Sequence, residues 1–231
     1  MASFVELCAF AALLQDGAEA VTRQSVWEFL RAGGPVMVPL GVCSVVALAL
    51  TMERYLRLRP EVALPPSLEE PIERAIHGER ARALEAAAAI DAPAARILCA
   101  GLRRDALPLL DIERAMEDQA AKEADAMRGR IRALSLIAAI APLLGLLGTV
   151  LGLNEAFHRV VRAGLGKPEQ LAAGIEEALI TTIAGLCIAI PVMLIASHLN
   201  AKVRRIMHRI DRRLTPVVDA IVAERRRTDA A

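Results

Sequence analysis

Five side chains stand where their chemistry is conspicuous. Thr149 lies inside an uncharged stretch, 133–154, and Glu176, Glu177, Thr181 and Thr182 lie at the threshold of another, 178–201. A carboxylate leading into hydroxyls, with no Cys/His cluster beside it, suits protons or hydrated cations and not transition metals. Adjacent residues are 100° apart around a helix, so Glu176 and Glu177 cannot share a face. Two readings stay open for the pair. One is an ion or proton pathway, because an ionisable group inside a bundle is expensive and usually functional. The other is a hydrated interfacial charge favoured by a helix N-terminus. Thr149 alone is ambiguous too, since a lone Thr can bond its own backbone. Other chemistry has no foothold. The four His (77, 158, 198, 208) are scattered and the four Cys (8, 43, 99, 187) are far apart. There is no Ser/His/Asp set, phosphate-binding glycine loop or metal-ligand spacing, so no enzyme, cofactor or metal is expected.

The elements that must hold these residues follow from composition. Of 231 residues, 55% are hydrophobic, 24% charged and 3% aromatic. Only twenty-three are Ser, Thr, Asn, Gln or His. Few aromatic residues and much Ala and Leu argue against an all-β fold. The apolar content excludes a disordered chain. The net charge of +1 offers no reason to bind nucleic acid. Charged and apolar residues are segregated. Stretches 35–52, 133–154 and 178–201 hold eighteen, twenty-two and twenty-four residues without Asp, Glu, Lys or Arg. A spanning helix needs about 20 apolar residues, so three transmembrane helices are expected.

Lys and Arg accumulate on the cytoplasmic side of a membrane. Segments 53–133 and 199–231 hold fourteen and nine; segments 1–34 and 154–177 hold two and three. The division is therefore an external N-terminal segment 1–34, transmembrane helices 35–52, 134–153 and 176–198, a cytoplasmic helical domain 53–133, an external loop 154–175 and a cytoplasmic C-terminal helix 199–231. The N-terminus is external and the C-terminus cytoplasmic. Within 1–34, the apolar run 4–14 has no preceding Lys or Arg and is interrupted by Glu6, so it reads as a surface helix and not a removed signal. Pro and Gly divide 53–108 into short helices, with starts at Pro65-Pro66-Ser67 and at Asp91-Ala92-Pro93. Beyond Pro108 the breakers stop, and one helix is expected from about 111 to 161. A second should run from about 169 to 227. Val203, Ile206, Ile210, Leu214, Val217 and Ile221 recur at helical spacing between arginines. That stripe requires cover, from the 111–131 helix of the same chain, from another subunit, or from both. The fold class is an all-α membrane protein: three transmembrane helices, two extended far into the cytoplasm, and a small cytoplasmic helical region.

The second span carries Ala138, Ala141, Gly145, Gly148, Gly152 and Ala156 at three- and four-residue intervals, and Gly185 lies in the third. Such a small face lets helices approach closely, since van der Waals packing drives their association in lipid.

The sequence Ala-Pro-Leu-Leu-Gly-Leu-Leu-Gly-Thr-Val-Leu-Gly at 141–152 resembles the second-span motif of the ExbB/TolQ/MotA family. So does Leu-Ala-Ala-Gly-Ile-Glu-Glu-Ala-Leu-Ile-Thr-Thr-Ile-Ala-Gly-Leu at 171–186, with Ala-Ile-Pro at 189–191, for the third span. The first span with Met52-Glu53-Arg54 also looks like ExbB. The resemblance implies a proton-motive-force transducer of the bacterial inner membrane. It implies a homopentamer around an ExbD-like single-span protein, delivering energy through a TonB-like protein to outer-membrane transporters. It places Thr149, Glu177 and Thr182 on a pore facing the partner's membrane aspartate and gives Glu176 no role. MotA fits less well, having four spans and a larger cytoplasmic domain. A TolQ-like role in the Tol-Pal envelope system, or a membrane scaffold that passes no ions, are the alternatives.

Overall fold

The computed structural model describes residues 33–58, 60–163 and 168–229. The expected surface helix at 4–14, Cys8 and residues 164–167 of the expected external loop lie outside the described residues. All regular elements among the described residues are helical: α1 Met37–Arg57, α2 Pro60–Ala63, a 3₁₀ turn Pro66–Leu68, α3 Glu69–Ile76, α4 Arg80–Ala88, α5 Pro93–Leu102, α6 Leu109–Ala163 and α7 Pro168–Asp229. Three helices are long and apolar enough to cross a membrane, the qualifying stretches being Met37–Tyr55, Ile131–Val161 and Ala172–Arg227.

Local sequence explains the boundaries. Pro93 opens α5 after an extended Ala92, and Pro168 opens α7; Pro at the first helical position costs no hydrogen bond. Pro65-Pro66-Ser67 forms a 3₁₀ turn that feeds α3, whose first turn carries Glu69 and Glu70. Gly78 stops α3 at a φ of +87°, a conformation that favours glycine. α6 runs through Pro142 without ending. A proline inside a spanning helix is tolerated because neighbouring helices and local adjustments satisfy the freed carbonyl. The helices also extend beyond the uncharged runs. α1 continues through Glu53 and Arg54 to Arg57, and α6 and α7 carry helix to Ala163 and from Pro168, which makes most of 154–175 helical.

The described residues form two compact units, one comprising those up to Val46 with those in 137–191, the other those in 47–136 with those from Val192 onward. In the first, Val36 of the preceding turn and Met37 and Leu40 of α1 pack with Ala141 and Leu144 of α6 and Ala184, Ile188 and Ala189 of α7. α6 and α7 meet through small residues. A Cβ added at Gly185 would stand 2.6 Å from the Ala141 carbonyl oxygen. One at Gly145 would stand 2.9 Å from the Thr181 carbonyl oxygen, and one at Gly148 2.6 Å from the Thr181 Cβ. Gly152 is looser, at 3.2 Å from the Ala178 Cβ. Residues 141, 145, 148, 152 and 156 are buried, so the close face of α6 is continuous over four turns.

In the second unit the α7 stripe finds its cover within the chain: Val203, Ile206, Ile210, Leu214, Val217 and Ile221 are all at most 3% exposed. Burying each such side chain is worth about 1.5–3 kcal/mol. Alanines on α4 and α5 let the short helices approach one another, Ala83, Ala87 and Ala94 being fully buried. Cys99 on α5 is buried, and burial pushes its thiol up, so it acts as a small apolar residue. Two ionic clasps tie the parts together. Arg96 grips Glu123 with Nε and Nη2, both at 2.7 Å, and Gln119 adds a bond of 2.8 Å. Arg80 bonds Asp105 at 2.6 Å and also Glu224, while Arg225 donates to the carbonyls of Asp105 and Leu107. The Arg96 guanidinium holds the Glu123 carboxyl below the usual carboxylate range.

Two outcomes follow from these contacts. Gly185→Ala drives a methyl into a backbone carbonyl and should destabilise the detergent-solubilised protein by about 1–3 kcal/mol. Gly41→Ala, with nothing within 4 Å of the added carbon, should be neutral or slightly stabilising; thermal unfolding midpoints compare the two. Glu123→Gln should cost about 1–3 kcal/mol, since it weakens a charge-assisted pair whose carboxylate is nearly buried but whose arginine is half exposed. The sign with pH is set by the lowered carboxyl. Its stabilisation is complete above the unfolded value of about 4.3 and is lost as pH falls through the folded one. An acid titration of stability should therefore show a component in the wild type that Glu123→Gln lacks.

Candidate functional site

Within the first unit, the close approach at Gly145 brings three hydroxyls to one carbonyl. Thr149 on α6 and Thr182 on α7 are half-buried, and Thr181 on α7 is 1% exposed. Thr149 Oγ1 lies 3.2 Å from the Gly145 carbonyl oxygen, Thr182 Oγ1 3.3 Å and Thr181 Oγ1 3.3 Å. Thr149 and Thr182 are hydrogen-bonded to each other across the two helices. A second carbonyl, Ala178, accepts from Thr181 at 2.8 Å and is 3.3 Å from Thr149. Neither glycine nor carbonyl could serve in this way if α6 carried a side chain at 145, because the helices would be held apart.

Chemically, this is a cluster of neutral donors and acceptors in an otherwise apolar segment. A threonine hydroxyl donates one proton and accepts through two lone pairs. Two hydroxyls in contact can thus orient as a short chain in either direction and can receive a bond from a passing proton carrier. Among the described residues no group of three or more His, Cys, Asp or Glu could hold a metal ion.

Glu177 is half-buried and elsewhere. A Cβ added at Gly34 would meet its Oε1, so the carboxylate lies against the turn that precedes α1. Gly34 adopts φ +64°, which suits glycine, and the missing side chain makes room for the carboxylate. The first turn of α1 has no acidic residue of its own. A carboxylate there favours the positive end of the helix dipole. Glu177 and Thr182 are five residues apart, which sets them about 140° apart around α7. The structure thus brings Thr149 and Thr182 together and directs Glu177 to α1. Glu176 is exposed.

Thr181 is the residue that the spacing of polar residues alone did not separate from Thr182, and to which the family resemblance gave no role. Its signal was available: position 181 falls on the same helical face as Gly174, Ala178 and Gly185, the small residues that touch α6. Position 182 lies at the margin of that face.

A model of the MotA/TolQ/ExbB proton channel family matches residues 89–212, which include the close α6–α7 contact and all three threonines. Among curated proteins, the chain is similar to a putative biopolymer transport protein, ExbB-like 1, of Synechocystis sp.. The two are 38% identical over 180 residues, covering 73% of this chain and 67% of that relative. The putative biopolymer transport protein ExbB homolog of Methanothermobacter thermautotrophicus is 30% identical over 182 residues, covering 78% of this chain and 64% of the relative. The Tol-Pal system protein TolQ of Haemophilus influenzae is 36% identical over 93 residues, 40% of this chain and 41% of the relative. The chain thus spans about two-thirds of the length of the first two relatives and about two-fifths of the third. The extent of the family match and of the first of these similarities places the chain in the MotA/TolQ/ExbB proton channel family, where it is most like ExbB.

Proposed function

We propose that the chain is an ExbB-like subunit of a proton-motive-force transducer, forming an oligomeric pore around an ExbD-like single-span protein and energising TonB-dependent outer-membrane transport. The observation that carries this reading is the hydroxyl pair Thr149–Thr182, half-buried and joined across two apolar helices. Hydroxyls do not titrate near neutral pH. They can solvate a proton site on a partner helix without themselves becoming charged. The glycine face and the Thr hydroxyls leave a wall of low relief against which a central helix could move. One charge crossing the membrane releases about 2.3 kcal/mol per 100 mV, and the subunit's task is to couple that release to partner motion without leaking it.

In this reading the protein sits in the bacterial inner membrane with its N-terminus periplasmic and C-terminus cytoplasmic. The excess of Lys and Arg in 53–133 and 199–231 supports that orientation. Spans 35–52, 134–153 and 176–198 are joined by the cytoplasmic domain and the external loop. Glu177 shapes the field near the outer mouth, and its place against Gly34 ties the first span to the third. The homopentamer and the TonB-like protein come from the family resemblance. A TolQ-like role in the Tol-Pal system is the second reading, favoured by the similarity to the TolQ of Haemophilus influenzae.

Reconstitution with an ExbD-like single-span protein provides the test. Proton flux into vesicles under an imposed potential should fall about tenfold or more for Thr149→Val and Thr182→Val, each removing a hydrogen bond that the transfer step uses. Glu177→Ala should also reduce flux. Normal TonB-dependent uptake by cells expressing Glu177→Ala or Thr182→Val at normal levels would overturn the assignment. Loss of envelope constriction with intact uptake in a deletion strain would favour the TolQ-like reading.

A further inference from the structure

The hydroxyl cluster holds one more group than the pathway uses, and its hydrogen bonds can be counted. In an α-helix each carbonyl accepts the N–H four residues on. The Gly145 carbonyl is therefore occupied by the Thr149 N–H, and the Ala178 carbonyl by the Thr182 N–H, both within continuous helix. Each carbonyl oxygen has two lone pairs, so each keeps one. Three hydroxyl protons, from Thr149, Thr181 and Thr182, compete for these two places. Thr181 is closest to Ala178, at 2.8 Å, and fills that place. One proton of the remaining pair goes to Gly145, at 3.2 Å from Thr149 or 3.3 Å from Thr182. The last proton has no carbonyl left and must lie between Thr149 and Thr182.

We infer that Thr181 is a positioning residue: by occupying the Ala178 carbonyl it obliges Thr149 and Thr182 to stay hydrogen-bonded to each other. Without its hydroxyl, Thr149 can turn to Ala178, 3.3 Å away, while Thr182 donates to Gly145. Both hydroxyls are then satisfied separately and the link between the helices opens. Thr181 is suited to this role because it cannot itself join a water-filled path. It is 1% exposed, and the absent side chain of Gly148 leaves the space its Cβ, Oγ1 and Cγ2 fill. A buried hydroxyl that bonds one carbonyl is ordinary. Here the occupied carbonyl is the one that a functional neighbour would otherwise take.

This inference rests on the reading of Thr149 and Thr182 as the pathway, and the experiment separates the two. Proton flux and unfolding midpoint are measured on the full chain with its membrane partner in vesicles, for Thr181→Val, Thr181→Ser and Thr181→Ala. Thr181→Val keeps the shape and removes the donor; flux should fall about tenfold, the rate equivalent of one ordinary hydrogen bond. Ser and Ala both lose the methyl and differ only in the hydroxyl, so any packing defect cancels between them. The fall in flux from Ser to Ala should match that from wild type to Val, about tenfold. In a Thr149→Val background Thr181→Val should add nothing, because the competing bond to Ala178 is already gone. Independent, multiplying losses would overturn the inference, as would wild-type flux in Thr181→Val when Thr149→Val and Thr182→Val are impaired. Wild-type flux in all three variants would instead overturn the reading of the pathway itself.

Discussion

The close approach of α6 and α7 at Gly145 is the contact on which the candidate site depends. In lipid there is no hydrophobic drive to hold two apolar helices together, so their pairing rests on van der Waals contact and on hydrogen bonds. Absent side chains at 145 and 185 bring backbone to backbone, and the one absent at 148 makes room for the Thr181 side chain. That closeness makes a helix carbonyl, normally satisfied within its own helix, available to side chains of its neighbour. The same glycines thus serve adhesion and chemistry. A bulkier face would leave the threonines to bond their own helices, and the cross-helix pair would not form.

The second unit rests on different physics. Its helices are charged and its core is built from one apolar stripe on α7, from alanines on the short helices, and from Ile112, Ile131 and Leu134 on α6. Apolar burial supplies the drive there, and the ionic clasps determine which ends meet. Arg80 and Arg225 fasten the end of α7 to the connection between α5 and α6. Arg96 fastens α5 to α6 through Glu123. Charges of this kind add little energy when exposed. Glu123 is an exception, being nearly buried and bound on both oxygens.

Much of this was legible in the sequence. The three uncharged runs, the Pro-marked starts of α3 and α5, and the two long helices each follow from local rules of length, charge and helix breaking. The small residues at 141, 145, 148, 152 and 156 share one face by periodicity alone. Family motifs then singled out Thr149, Glu177 and Thr182. Two things were not legible. Periodicity left open what covers the stripe from Val203 to Ile221, and the fold answers that the chain covers it itself. Spacing also treated Glu177, Thr181 and Thr182 as one polar track, whereas they diverge: Glu177 to the turn before α1, Thr181 into the α6–α7 contact, Thr182 to its margin.

The division has a physical reason. Helix formation, span length and charge segregation are decided by neighbours within a few residues and by the solvent each segment prefers, so the sequence by itself determined the all-α membrane class and the approximate course of its two long helices. Which hydroxyl meets which carbonyl depends on the rotation of one helix against another, to within a fraction of a turn. That rotation is decided by the sum of contacts along both helices, above all where glycine lets them touch. Only the tertiary structure shows Gly34 opening space for Glu177, Gly148 for Thr181, and Gly145 presenting its carbonyl to three threonines.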